Sequence, residues 1–234
     1  MPTTPSKRRR IFLMRHGSVT YFDANGAPIT PETVPLNADG RLQASAAGRL
    51  FATEGARFDR VITSGLPRTL ETAALVLAET GQQIEVEHWP DLEEIRSGRL
   101  AAIPEAELRQ AFTGAFDGMV SEHQRFLGGE TVGALMDRVH PALARLRADP
   151  HWDTVLLVLH GGVNCAILSF ALTGERFFLG GLSQGTGCIN ALDVGADERD
   201  WVVRFVNFTA PAPLQAQSRS TTMELLFDQY RARR

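Results

Sequence analysis

Residues 11–17 read IFLMRHG, a short apolar run that stops at an arginine, a histidine and a glycine. Such a run is expected to be a buried strand, so its end sets a permanent cation beside an imidazole where the backbone turns. One Arg-His pair at a strand end is an ordinary solvated loop, but the habit recurs. FDRVITS ends in Thr63 and Ser64 with Arg68 a turn later, and DTVLLVLHGG ends in His160, Gly161 and Gly162. In a parallel sheet the carboxyl ends of the strands share one edge, and ligand sites form there. Arg15, Arg68, His16, His160, Gly17, Gly161 and Gly162 are therefore expected to converge. Like charges repel, so a cation cluster has no structural use of its own. Around a dianion it does: guanidinium forks match phosphate oxygens with paired hydrogen bonds. The glycines let backbone N–H groups approach, and helices that start after Ser64 and Gly162 aim their positive ends at the same place.

A histidine in such a pocket suggests more than binding. Neutral imidazole is a nucleophile near pH 7 and can accept a phosphoryl group. The surrounding donors would stabilise charge on the equatorial oxygens. The leaving alcohol then needs a proton, and DLEEI supplies two candidates, Glu93 and Glu94. A carboxyl group beside a dianion holds its proton more tightly, which suits a general acid. The cationic side chains do the neutralising that a metal would do elsewhere, and no run has metal-ligand spacing, so neither metal nor cofactor is expected.

These residues need a scaffold that brings strand ends together. Apolar runs alternate with amphipathic stretches, the pattern of a parallel-rich α/β sheet. Strands are expected near Ile11–Met14, in FDRVITS, in IEVEH and, most clearly, in DTVLLVLHGG, whose continuous apolar run fits a fully buried strand. LNADGRLQASAAGRLFA reads as a helix capped by Asn37 or Asp39, with Leu42, Ala46, Leu50 and Phe51 on one face. LPRTLETAALVLAET reads as a second, with Pro67 in its first turn and Gly81 past its end. A helical pattern from Thr131 to Arg147 carries Pro141, which threatens a kink, and VNCAILSFALTG predicts a helix ending at Gly174. GCINALDVG and DWVVRFVNF suggest two further, antiparallel strands. Residues 90–130 are irregular, as a lid or substrate wall would be. TAPAPLQAQSRSTT reads as extended or mobile, and MELLFDQYRARR as a last amphipathic helix.

The chain has 234 residues, 44% hydrophobic and 22% charged, with a formal net charge of −3. That is ordinary for a globular chain and gives no global field for nucleic acid or an anionic membrane. Two cysteines, Cys165 and Cys188, form neither a disulfide framework nor a zinc cluster, which fits a reducing, cytoplasmic setting. The basic stretch Lys7–Arg10 reads as a solvated arm, and the apolar run after it is too short for a signal peptide or membrane span.

In order along the chain, LMRHG, PLNADGRLQASAAGRL, ITSGLPRTLETA, DLEEIRSG, LGGET and LHGGV resemble the successive motifs of the histidine phosphatase superfamily, its phosphatase branch included. The resemblance spans roughly residues 10–207 and implies a phosphoglycerate-mutase-like fold, a three-layer α/β/α sandwich with a mostly parallel central sheet. It implies that His16 is the nucleophile and Arg15 a phosphate ligand, with Gly17 beside them. Arg68 would be the second arginine, and His160, with Gly161, both a catalytic and a phosphate-binding residue. DLEEIRSG is similar to the proton-donor segment and aligns Glu94, rather than Glu93, with the donor; LGGET is expected to be structural. The pattern departs where the family commonly carries an acidic residue, an asparagine and an arginine, which are Ser18, Phe22 and Cys165 here. The phosphate core is thus complete and the substrate walls are changed.

The division expected is a basic arm at 1–9, the phosphatase domain at 10–207 with a lid at about 90–130, and a C-terminal extension at 208–234. The leading reading is a metal-independent phosphomonoesterase that hydrolyses a small phosphorylated metabolite through a phosphohistidine. The alternatives are a phosphoglycerate mutase, which returns the phosphoryl group to substrate, and a catalytically idle scaffold. The expected partner is a small phosphate ester, without nucleic acid or membrane; a homodimer is left open. The C-terminal extension could cover the site, pack on a partner or stay loose.

Overall fold

A computed structural model describes residues 8–23, 25, 27 and 29–232. Its centre is one six-stranded sheet in the order β3-β2-β4-β1-β5-β6. The strands are β1 (Arg9–Arg15), β2 (Arg60–Thr63), β3 (Val86–His88), β4 (Thr154–Leu159), β5 (Ile189–Val194) and β6 (Trp201–Phe208). β3, β2, β4 and β1 run parallel, β5 is antiparallel to β1, and β6 is antiparallel to β5. The helices are α1 (Ala38–Thr53), α2 (Pro67–Thr80), α3 (Leu108–Thr113), α4 (Val132–Ala148), α5 (Gly161–Thr173) and α6 (Thr222–Arg231).

Strand side chains alternate between faces, and the two cores follow that alternation. Ile11 and Leu13 of β1, with Val155, Leu157 and Leu159 of β4, pack with α4 and α5. Phe12 and Met14, with Leu156 and Val158, pack instead with α1 and α2. The result is the expected three-layer α/β/α sandwich. Because both faces of β4 are covered, its sequence had to be apolar without interruption.

Local signals set the ends. The Asn37 side chain accepts from Gly40 N and caps α1. Pro67 opens α2, and Gly81 closes it with φ +64°, a left-handed conformation suited to glycine. α4 continues through Pro141 as one helix.

Two expectations change. The solvated arm ends before Arg9, because Arg9 and Arg10 belong to β1 and are held there: Arg10 pairs with Asp193 at 2.7 Å and the Arg9 guanidinium lies 4.1 Å from the Trp152 ring centre. Even Arg8 pairs with Asp200 at 2.7 Å, while residues 1–7 lie outside the described residues. IEVEH shortens to the three residues of β3 at the sheet edge.

The irregular stretch after β3 forms 3₁₀ turns around the short α3. α6 does not hang free. Phe227, 6% exposed, and Tyr230 stack near Phe112 of α3, with ring centres 5.6 and 5.7 Å away.

Candidate active site

Register explains the meeting of the two histidines. Arg15 of β1 lies opposite Leu159 of β4, so the next residues, His16 and His160, are neighbours at the carboxyl edge. The His16 amide donates to Leu159 O at 3.0 Å, and the two rings meet edge to face with centres 5.2 Å apart. β2 flanks β4 on its other side, so Ser64 arrives beside His160, with Oγ 2.8 Å from Nε2. The first turn of α2 then projects Arg68 to His16. Its Nε lies 3.3 Å from His16 Nε2, and its Nη1 donates to Pro31 O at 2.6 Å.

Gly17 serves the close approach of two backbones. A Cβ there would fall 2.3 Å from Gly40 O, and one on Gly40 would fall 2.1 Å from Ser18 O. The Gly17 amide donates to Thr72 Oγ1 at 3.1 Å. Gly161 lies between two side chains: a Cβ there would stand 3.6 Å from the Arg15 guanidinium and 3.7 Å from Glu94 Oε2.

The histidine chemistry follows from its contacts. A carbonyl only accepts, so the 2.7 Å contact between His16 Nδ1 and Gly17 O puts the proton on Nδ1. Nε2 therefore carries the lone pair and faces Arg68. Burial, then Arg68, then Arg15 hold His16 well below the ordinary histidine range, against a smaller opposing effect of the Gly17 carbonyl. Burial and the same two arginines do likewise to His160. Both rings are neutral at neutral pH.

The cations are less well compensated. Arg68 is 2% exposed and Arg15 8% exposed, yet neither forms an ion pair with a carboxylate among the described residues. Arg15 Nη1 donates to Gln184 O and, at 2.8 Å, to Thr222 Oγ1. Arg15 Nε and His160 Nδ1 are buried without a hydrogen-bond partner among the described residues. Buried charge without a counterion is costly, and an anion with several oxygens would satisfy both groups at once.

Glu93 and Glu94 part company. The Glu94 carboxylate accepts from Ile95 N at 3.0 Å and from Gly162 N at 3.1 and 3.2 Å, which seats it at the start of α5 beside the pocket. It thus takes part of the helix end that the sequence offered to phosphate. Glu93 turns to Arg96 at 3.4 Å. Arg138 fixes this loop by donating to the carbonyls of Asp91, Glu93 and Glu94 at 2.8, 2.6 and 3.0 Å, and pairs with Glu130 at 2.9 Å. Glu130 and Thr131 of LGGET are indeed structural: Thr131 caps α4.

Five contributors escaped the sequence reading: Arg138, Thr222, Thr72 and the carbonyls of Pro31 and Gln184. The T-x-x-E pattern at 221–224 does announce a helix start, and Thr221 and Glu224 form that capping box. It carries no information on where the helix docks. The substituted wall positions also find places. Phe22 and Cys165 line the cavity, and burial pushes the Cys165 thiol up, so no charge replaces the absent arginine. No group of three or more potential metal ligands exists among the described residues, and no helix there is long and apolar enough to cross a membrane.

Residues 11–209 match the description of the histidine phosphatase superfamily (branch 1). The chain is 28% identical over 187 residues to the adenosylcobalamin/alpha-ribazole phosphatase of Escherichia coli, covering 79% of this chain and 90% of that one. It is 32% identical over 158 residues to "Probable phosphoglycerate mutase GpmB" of Salmonella paratyphi A, covering 65% and 69%. Among solved structures, a mycobacterial glucosyl-3-phosphoglycerate phosphatase superposes with a TM-score of 0.65 at 26% identity, covering 86% and 99%.

Proposed function

The chain belongs to the histidine phosphatase superfamily (branch 1), and from that premise we propose that it is a phosphomonoesterase acting through a phosphohistidine at His16. The observation that carries this reading is the pair of buried guanidiniums, Arg15 and Arg68, which form no ion pair among the described residues, around two neutral histidines. His16 Nε2 attacks phosphorus, the P–N bond forms, and the P–O bond to the alcohol breaks with its electron pair on oxygen. Glu94 gives that oxygen a proton. Water then attacks the phosphohistidine as the Glu94 carboxylate takes its proton, and phosphate leaves with His16 neutral again. Arg15, Arg68 and His160 hold the equatorial oxygens through both steps.

Hydrolysis is favoured over return of the phosphoryl group by what surrounds the phosphate end. A mutase must retain a small polyanion and exclude water from a long-lived intermediate. Of the arginines at 96, 99, 109 and 125, only Arg96 and Arg99 border the cavity. Arg96 is paired with Glu93, Arg109 lies against the Phe227 ring, and Arg125 donates to Gly129 O. The test supplies 3-phosphoglycerate, with and without 2,3-bisphosphoglycerate, and p-nitrophenyl phosphate. Free phosphate from the aryl ester without accumulation of the 2-phospho isomer is expected. Rapid isomerisation with little phosphate released would make the protein a mutase, and no turnover of either would make it an idle module. A reducing cytoplasm as the working compartment fits the two buried free thiols, Cys165 and Cys188.

A further inference from the structure

The cavity, phosphate end included, holds about 550 Å3 and extends past Arg15 and Arg68 into a chamber. That is a volume for a drug-sized molecule, far beyond what a phosphate group fills. Its walls are mostly apolar, with Tyr21, Ser97, Arg99 and Ser183 among the polar residues on the lining. Phe22 and Ile29 come from the loop after β1, Leu100 and Phe116 from the lid segment, and Met223 and Leu226 from α6. Leu100, Phe116, Met223 and Leu226 are only partly buried, so they present apolar surface to the chamber. The α6 wall is anchored at both ends: Thr222 bonds Arg15 at 2.8 Å, and Phe227 packs on Phe112 with ring centres 5.6 Å apart. α6 also lies beyond residues 11–209, so the family pattern does not supply this wall.

We propose that this chamber is a leaving-group subsite for phosphomonoesters of bulky apolar alcohols, aryl or long-chain alkyl, with Met223 and Leu226 as specificity-determining residues. The inference rests on the phosphatase reading above and names the substrate class of that same site. A carboxylate or hydroxyl-rich leaving group packed against Phe22, Ile29, Leu100, Phe116, Met223 and Leu226 would lose its water to side chains that offer no hydrogen bonds. An alkyl or aryl group would instead exchange water for carbon contacts. Of the charged residues on the lining, Glu93 and Arg96 pair with each other at 3.4 Å.

The test measures kcat/KM of the full chain for methyl, butyl, hexyl and octyl phosphate, for phenyl and 1-naphthyl phosphate, and for 3-phosphoglycerate. Specificity should climb by about fourfold per added methylene until the chamber is filled. Naphthyl phosphate should exceed 3-phosphoglycerate by at least about 100-fold. In Met223→Ala and Leu226→Ala the ratio of octyl to methyl kcat/KM should fall by about tenfold. Leu226→Trp, which fills the chamber, should lower the naphthyl-to-methyl ratio. A rate independent of chain length in the wild-type chain, or a preference for 3-phosphoglycerate, overturns the subsite while leaving the phosphatase reading standing. Absence of hydrolysis of every ester overturns both.

Discussion

The two ends of the cavity are built by opposite means. The proposed phosphate end uses residues at the tips of β1, β2 and β4, where strand register sets neighbours side by side: His16 against His160, and His160 against Ser64. It is buried, cationic and held by backbone geometry. The chamber end uses segments without regular pairing, the lid stretch and α6, joined by aromatic contacts such as Phe112 with Phe227. It is mostly apolar and depends on side-chain packing. The difference teaches that chemistry and selection are separable here: one rests on the sheet, the other on elements added around it.

The separation is sharpest at the phosphate end. His16→Ala should lower kcat/KM by at least about 10⁴-fold for every ester, since it removes the bond-forming atom. Arg68→Met should cost about 10²–10³-fold, also for every ester, because it removes charge stabilisation common to all of them. A loss that varied with the size of the leaving group would break the comparison, by tying Arg68 to selection.

Glu94→Gln is expected to divide substrates by the basicity of the leaving group, with steady-state rates on two esters as the readout. Alkyl phosphates, whose alkoxide needs a proton, should lose about 10²-fold or more, and p-nitrophenyl phosphate less than about tenfold. Equal losses would assign Glu94 to positioning. Arg138 acts through the Glu94 loop, so Arg138→Met should show the same asymmetry on a smaller scale, about tenfold on alkyl phosphates. Arg138→Lys should restore part of it, whereas a merely structural role would lower both esters alike.

The smallest expected effect is a pH dependence of stability. His16 and His160 are held below the ordinary histidine range in the folded chain. As pH falls past about 6.5, the unfolded chain binds protons that the folded chain refuses. Stability is therefore fully present above that pH and declines below it, toward the depressed folded values. Each histidine contributes a slope of up to about 1.4 kcal/mol per pH unit. Urea unfolding of wild type and His160→Gln at pH 7.5 and 5.5 should show a smaller drop in the variant. An equal drop in both would remove His160 from this account.

The sequence carried the phosphate end because each part is written locally. An apolar run ending in Arg15-His16-Gly17 or His160-Gly161 states both the strand and what stands at its tip, and parallel packing does the rest. Asn37, Pro67 and Gly81 likewise state helix ends within a few residues. The chamber is not local. Thr222 reaches Arg15 across 207 residues, and Arg138 reaches Glu94 across 44. Nothing in TTME tells which helix its apolar face will meet, since that depends on Phe112 having already been placed. Arg9 and Arg10 looked solvated for the same reason, because their partners Trp152 and Asp193 are distant in the chain.

The central claim is that the sheet edge presents His16 Nε2 as the nucleophile. It is tested most directly by mixing the full chain with a ³²P-labelled aryl phosphate, quenching in alkali and mapping the labelled peptide. A phosphoramidate survives alkali and is lost in acid. Acid-labile label is expected on the peptide containing His16, absent from His16→Ala and retained in a longer-lived form in Glu94→Gln. Label that resists acid, that maps to His160, or that persists in His16→Ala would contradict the claim.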